Sequence, residues 1–162
     1  MTSSTSNSAM VRALQQAGMG AESARPPLEP ALRDILNQGF FSFDGCVFLE
    51  RFRQIAERYS VQDFPDRTGF ECFVNHIHVE DFLPKISDIR DQLTQALSLA
   101  HDLSAALCKG SPAQSFSIIM NSGDDGAIVR FHVKREGERY VAASLEKYDE
   151  PVLVIEEAAS AC

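Results

Sequence analysis

The 162-residue sequence contains no tryptophan, and none of its four cysteines falls in a C-x-x-C pair. No apolar run approaches the roughly 20 residues that a membrane-spanning helix needs. Met1 to Arg25 lacks the apolar h-region of a secretory signal, so no export by that route is expected. Cys46, Cys72, Cys108 and Cys162 show no metal or redox spacing, and three of them sit inside apolar patterns where cysteine behaves as a small hydrophobe. They read as reduced thiols in a cytoplasmic protein. No G-x-S-x-G elbow, catalytic-cysteine motif or phosphate-binding G-K-[ST] loop is present, which leaves no sequence signature for nucleophilic or P-loop chemistry. Bases are scarce: 15 Lys and Arg against 23 Asp and Glu give a net charge of -8. That balance repels a phosphate backbone or an anionic membrane and suits a basic protein partner.

Eleven phenylalanines supply the aromatic packing, and 44% of the residues are hydrophobic, enough for one domain without disulfide staples. Residues 1–27, rich in Ser, Thr, Ala and Gln, are expected to form a flexible tail, and residues 28–162 a single α+β domain. Glu29-Pro30 opens a short helix with Leu32, Ile35 and Leu36 inward, and Gly39 is placed to end it. Asp44 reads as the N-cap of a longer helix in which Phe48, Leu49, Phe52, Ile55, Ala56 and Tyr59 make one stripe. Val61 to Gly69 is loop. Phe70 to Val79 is expected to be a strand with an irregularity near Asn75-His76, on the strength of its β-branched residues.

From Ser87 to Lys109 apolar residues return every third or fourth position, the mark of a long helix that Gly110 closes. The C-terminal part then reads as a four-strand antiparallel meander: Phe116 to Met120, Ala127 to Arg135, Tyr140 to Leu145, and the apolar run from Val152 to Ile155. Its turns carry Asn121 to Gly126, a solvated hairpin loop, and Glu136-Gly137. The fold class that follows is α+β, with N-terminal helices and one long helix packed on a mainly antiparallel four- to five-stranded sheet ending in a C-terminal β-meander.

Two features carry possible chemistry. On a strand, His76, His78 and Glu80 would share one face and could present a divalent metal with two imidazoles and a carboxylate, but a third or fourth ligand is not evident in sequence. Charge is more suggestive. Arg130, His132, Lys134, Arg135 and Arg139 gather around the second and third meander strands, while Glu136, Glu138, Glu146, Asp149 and Glu150 gather at the turns. Those five carboxylates are the candidate partner-binding residues, an acidic rim for a basic surface. No catalytic residue, metal ligand or cofactor is assigned.

Phe73-Val74-Asn75-His76-Ile77-His78-Val79-Glu80-Asp81-Phe82, together with Val129 to Glu138 and Leu145 to Ile155, resembles small bacterial immunity proteins of contact-dependent growth inhibition and polymorphic toxin systems. The resemblance implies a non-enzymatic, cytoplasmic inhibitor, monomeric in a 1:1 complex, that blocks the active site of a cognate toxin C-terminal domain. Many such toxins are nucleases with basic clefts. A secretion chaperone that holds an effector segment by strand addition is the rival binding function, and predicts a stable dimer. A metal-dependent enzyme using His76 and His78 is the rival catalytic one.

Overall fold

The computed structural model describes residues 1–20 and 23–159 and is α+β, built on a five-stranded antiparallel sheet and a separate two-stranded hairpin. Across the main sheet the order is β1 (Thr2–Ser6), β7 (Val152–Glu157), β5 (Phe116–Gly123), β6 (Gly126–Val133) and β4 (Ile77–His78). The long helix α5 (Ile89–Gly110) starts in a capping box: Asp88 Oδ1 accepts from the Asp91 amide at 2.9 Å, and Asp91 Oδ2 accepts from the Asp88 amide at 3.3 Å. Its Leu93, Ala96, Ala100, Leu103 and Leu107 share one buried cluster with Phe116, Ile118, Met120, Val129, Phe131, Leu153 and Ile155 of the sheet. Each fully buried leucine there contributes about 1.5 to 3 kcal/mol. The expectation of a long helix covering a sheet face holds.

The N-terminal residues are not an uncommitted tail. Thr2–Ser6 adds an edge strand to β7, and Ser8–Gln16 forms α1 with Met10 wholly buried. Low hydrophobicity does not leave this segment free, because its docking is carried largely by polar groups. Asn7 is fully buried; its Nδ2 donates to the Leu145, Tyr148 and Glu150 carbonyls, and its Oδ1 accepts from the Met10 and Val152 amides. Glu157 accepts from Thr2 Oγ1 at 2.6 Å and Ser104 Oγ at 2.8 Å, tying β1 and α5 to the same strand. Burial opposes its charge, but those donors and the N-terminal amine hold its carboxyl below the usual range.

The helix expected after Asp44 is instead a hairpin. β2 (Phe40–Phe43) and β3 (Cys46–Leu49) are joined by Asp44-Gly45, whose φ angles of 53° and 75° are those of the two-residue turn that Asp-Gly favours. The helical remainder shrinks to a 3-10 turn (Glu50–Phe52) and α3 (Arg53–Ala56). Upstream, α2 (Pro30–Asn37) ends as expected, with Gly39 at φ 80°.

The strand expected over Phe70 to Val79 is mostly helix α4 (Arg67–Val74), N-capped by Asp66 Oδ1 accepting from the Gly69 amide at 2.7 Å. Only Ile77 and His78 are strand, paired with Val129 and Ile128. Burial overrides β-propensity here. Phe70 and Val74 pack on Cys46 and Phe48, while Glu71 and Asn75 close the gap between the two sheets. Glu71 accepts from the Val47 amide at 2.7 Å and the Val133 amide at 3.0 Å; Asn75 accepts from the Leu49 amide at 3.0 Å and donates to the Val47 carbonyl at 2.9 Å. Side chains one turn apart thus bond backbone groups of β3 that a neighbouring strand would otherwise take.

The third meander strand, Tyr140 to Leu145, does not form. Residues 134–151 cross the face of the sheet opposite α5, and β7 pairs with β5 instead of following β6. β6 offers no edge for it, because β4, Asn75 and Glu71 already occupy that side. The crossing segment is held by Leu145, Tyr148 and Val141 against Cys72, Ile119, Val152 and Val154.

Candidate functional site

The five carboxylates expected to form one rim are split between opposite ends of the sheet. Glu146, Asp149 and Glu150 lie just before β7, at the end where Asp124 and Asp125 turn β5 into β6. Glu146 Oε1 accepts from the Ser8 amide at 2.8 Å and Ser8 Oγ at 2.9 Å, at the start of α1, where a carboxylate complements the helix dipole. Asp149 and Glu150 are exposed, and Glu150 lies against Gly123, its Oε2 2.6 Å from where a Cβ would stand. Glu80 approaches Gly126 in the same way at 2.9 Å, so two glutamates flank the Asp124-Asp125 turn. At Gly126 the φ of 84° itself calls for glycine, whereas at Gly123 the exposed Glu150 side chain could swing aside. In sequence Glu80 stands as a metal candidate, and Asp124 and Asp125 as loop residues. Their proximity to Glu150 depends on β7 docking beside β5, which no local pattern encodes.

Glu136 and Glu138 follow β6 at the other end. Glu136 is exposed, whereas Glu138 is committed to the fold: its Oε2 accepts from the Thr68 amide at 3.0 Å and Thr68 Oγ1 at 2.7 Å in the first turn of α4. Burial opposes its charge, yet Thr68 and Arg135 hold the carboxyl below its ordinary range.

The basic residues of β6 face the crossing segment. Glu156, Ser117 and His132 align as cross-strand partners on β7, β5 and β6, with Ser3 of β1 continuing the row. They floor a cleft of about 590 Å³ that Lys134, Arg139 and Tyr140 also line. Lys134 pairs with Glu156, Ser117 Oγ donates to Glu156 Oε1 at 3.1 Å, and the His132 Nδ1 lies 2.9 Å from the Val133 carbonyl. These groups largely satisfy one another. Arg135 is claimed by Glu71 through two bonds of 2.8 and 2.9 Å. Burial works against its charge, but the Glu71 carboxylate outweighs it and raises the guanidinium's pKa further.

Arg130 is different. It lies two residues before His132 on β6, opposite Ile119, with Nη1 donating to Tyr140 Oη and Nη2 3.4 Å from His76 Nε2. His76 and His78 do come together, with ring centroids 4.5 Å apart. They do not share a strand face with Glu80, since His76 precedes β4 and Glu80 follows it in a 3-10 turn. Burial first, then the Arg130 and His78 charges, push the His76 pKa down from 6.5 to about 4. Among the described residues no cluster of His, Cys, Asp or Glu is arranged to hold a metal. Cys46 and Cys72 are buried thiols; desolvation, aided by Glu71, pushes Cys46 up to about 12, and burial raises Cys72 as well. Cys162 lies outside the described residues. None of the described helices is long and apolar enough to cross a membrane.

A family model described as Uncharacterized protein PM0498 family matches residues 5–161. No curated protein and no solved structure matches the chain.

Proposed function

The chain belongs to the Uncharacterized protein PM0498 family, and from its own surface we propose that it is a cytoplasmic immunity protein, a non-catalytic inhibitor that covers the basic cleft of a toxin domain. The carrying observation is the acidic end of the sheet, where exposed Asp124, Asp125 and Glu150 stand with Glu80 around one hairpin turn, and Glu146 and Asp149 lie in the loop that leads into β7 at the same end. Carboxylates concentrated this way, on a chain with a net charge of -8, steer a basic partner and fix its orientation. Asn7 holds the carbonyls of Leu145, Tyr148 and Glu150, which presents the acidic loop on a fixed frame and lowers the ordering cost of docking.

The test is a combined charge reversal, Asp124→Lys, Asp149→Lys and Glu150→Lys, against a cognate killing domain encoded beside this chain. Association slows by about tenfold or more at low salt, and its dependence on ionic strength flattens. Glu138→Gln, at the other end, leaves the association rate unchanged. An unaltered rate and salt slope in the triple variant removes the acidic end from the interface, and failure of the native chain to protect cells from that domain removes the function.

A further inference from the structure

We propose that the groove between α4 and the crossing segment 134–151 is a binding site for a carboxylate carried on an aromatic or apolar body, with Arg130 as its anion-binding group. The groove encloses about 480 Å³, within the range of small-ligand sites, and is lined by Phe64, Phe73, His76, Arg130, Arg139 and Tyr140 among others. The acidic end of the sheet takes no part in it.

Three observations support the assignment. First, Arg130, like most lysines and arginines of the chain and unlike Arg53, Lys134 and Arg135, forms no ion pair among the described residues, so its case rests on the partners it does have. The partners of Arg130 are two groups without negative charge, the Tyr140 hydroxyl and the His76 ring, and its Nε is buried with no hydrogen-bond partner. Its cross-strand neighbour is apolar Ile119. A half-buried guanidinium on an apolar floor is incompletely compensated. Each Nη carries two protons, so one on each remains for the two oxygens of a carboxylate.

Second, the carboxylate that lines the groove directs one oxygen to the backbone and, among the described residues, pairs with neither Arg130 nor Arg139. That carboxylate, Asp66, caps α4 by accepting from the Gly69 amide. Third, the wall beside the guanidinium is aromatic and open to solvent. Phe73 is 47% exposed and Tyr140 42% exposed, and Phe73 packs against Phe64 and Tyr59 at centroid distances of 5.2 and 5.1 Å. Pre-packed rings offer a rigid apolar surface at small entropic cost. A hydrophilic anion such as phosphate would leave that wall wet, whereas an aryl or branched-alkyl acid uses both halves of the groove.

His76 gives the site an internal reporter. It contacts Arg130 of β6 and His78 of β4, and the groove it lines also holds Asp66, the N-cap of α4, Cys72 of α4, and Arg139 and Tyr140 of the crossing segment. An anion bound to Arg130 offsets one of the charges that holds the imidazole neutral, so its pKa rises on binding.

The experiment titrates the full chain with 3-phenylpropionate, 3-phenylpropanamide and inorganic phosphate, following chemical shifts of His76 and Phe73. The acid binds saturably, the amide at least about tenfold more weakly, and the His76 pKa moves up with the acid alone. Arg130→Gln weakens the acid by about tenfold or more, and Arg139→Gln, on the exposed segment, weakens it less. If Arg130→Gln does not fold, Phe73→Ala, which alters an exposed ring, takes its place and weakens acid and amide alike. A peptide with a C-terminal Phe, free or amidated, separates the two sources of such a carboxylate. Tighter binding of the free peptide than of 3-phenylpropionate identifies a chain terminus, and the reverse a small metabolite. Equal binding of acid and amide, or no saturation by any probe at about 5 mM, overturns the proposal.

Discussion

Replacing Arg135 by alanine removes the cationic half of the ion pair that joins the two sheets, and the loss is large because Glu71 cannot reach water. The Glu71 side chain has no exposed surface and that of Arg135 only 17%. In the native chain the carboxylate accepts from Arg135 Nη1 and Nη2 and from the Val47 and Val133 amides, and Arg135 also donates to the Gly45 carbonyl at 2.9 Å. Without Arg135 the charge retains only the two amides, and breaking a buried pair in this way costs about 3 to 5 kcal/mol. Glu71→Ala adds the loss of acceptors for both amides and falls at or beyond the upper end of that range. With a urea m-value of about 2 kcal/mol/M, the Arg135→Ala midpoint drops by about 1.5 to 2.5 M. The double variant Glu71→Ala with Arg135→Ala leaves no buried charge and recovers at least about 1 kcal/mol relative to the sum of the singles. Circular dichroism during urea denaturation measures all three. Midpoint shifts below about 0.5 M in both singles, or strict additivity in the double variant, refute the pairing as the joint between the sheets.

Asn7→Ala removes a cap and several bonds to the 145–152 segment, so stability falls by about 2 to 4 kcal/mol and amide hydrogen exchange in that segment speeds up; exchange confined to residues 1–16 contradicts it. The His76 pKa lies near 4 when folded and 6.5 when exposed, so the unfolded chain takes up the proton first as pH falls. Its stabilising contribution is complete above about pH 6.5 and shrinks toward pH 4. Urea midpoints at several pH values decline less steeply in His76→Gln than in the native chain, and identical slopes refute the assignment.

How far the fold was legible depended on whether each segment is stabilised by its own pattern. The α5 stripe from Leu93 to Leu107 and the alternation through Val129, Phe131 and Val133 bury a regular face and are readable in sequence, whereas Ile89, which continues the same spacing, stays exposed at the helix start. The Asp44-Gly45 turn was present in sequence as a hairpin signal, yet the helical spacing of Phe48, Phe52 and Ile55 masked it. Phe70 to Val74 became helical because Glu71 and Asn75, one turn apart, both found backbone partners on distant strands. Nothing within that segment announces those partners. The same holds at the candidate sites: Glu150 was identified from local charge, but its meeting with Glu80 and the 124–125 turn is a product of strand order.

The crossing segment 134–151 connects these consequences. Because β6 has no vacant edge, the chain must traverse the open face of the sheet to reach β7 on the far side of β5. That traverse carries Arg139 and Tyr140 over Arg130, making the basic groove, and ends by delivering Asp149 and Glu150 to the Asp124-Asp125 turn, making the acidic end. The anchors along it separate the two. Glu138 binds Thr68 near its start, Leu145 and Tyr148 bury its middle, and Asn7 takes its last carbonyls. The Glu138 anchor on Thr68 shares no residue with the Asn7 anchor, so loosening the far end need not disturb the start of the segment. Asn7→Ala therefore impairs partner docking at the acidic end while leaving 3-phenylpropionate binding at Arg130 within about twofold of the native chain. Parallel loss of both activities would show that the segment moves as one unit and that the two surfaces are not independent.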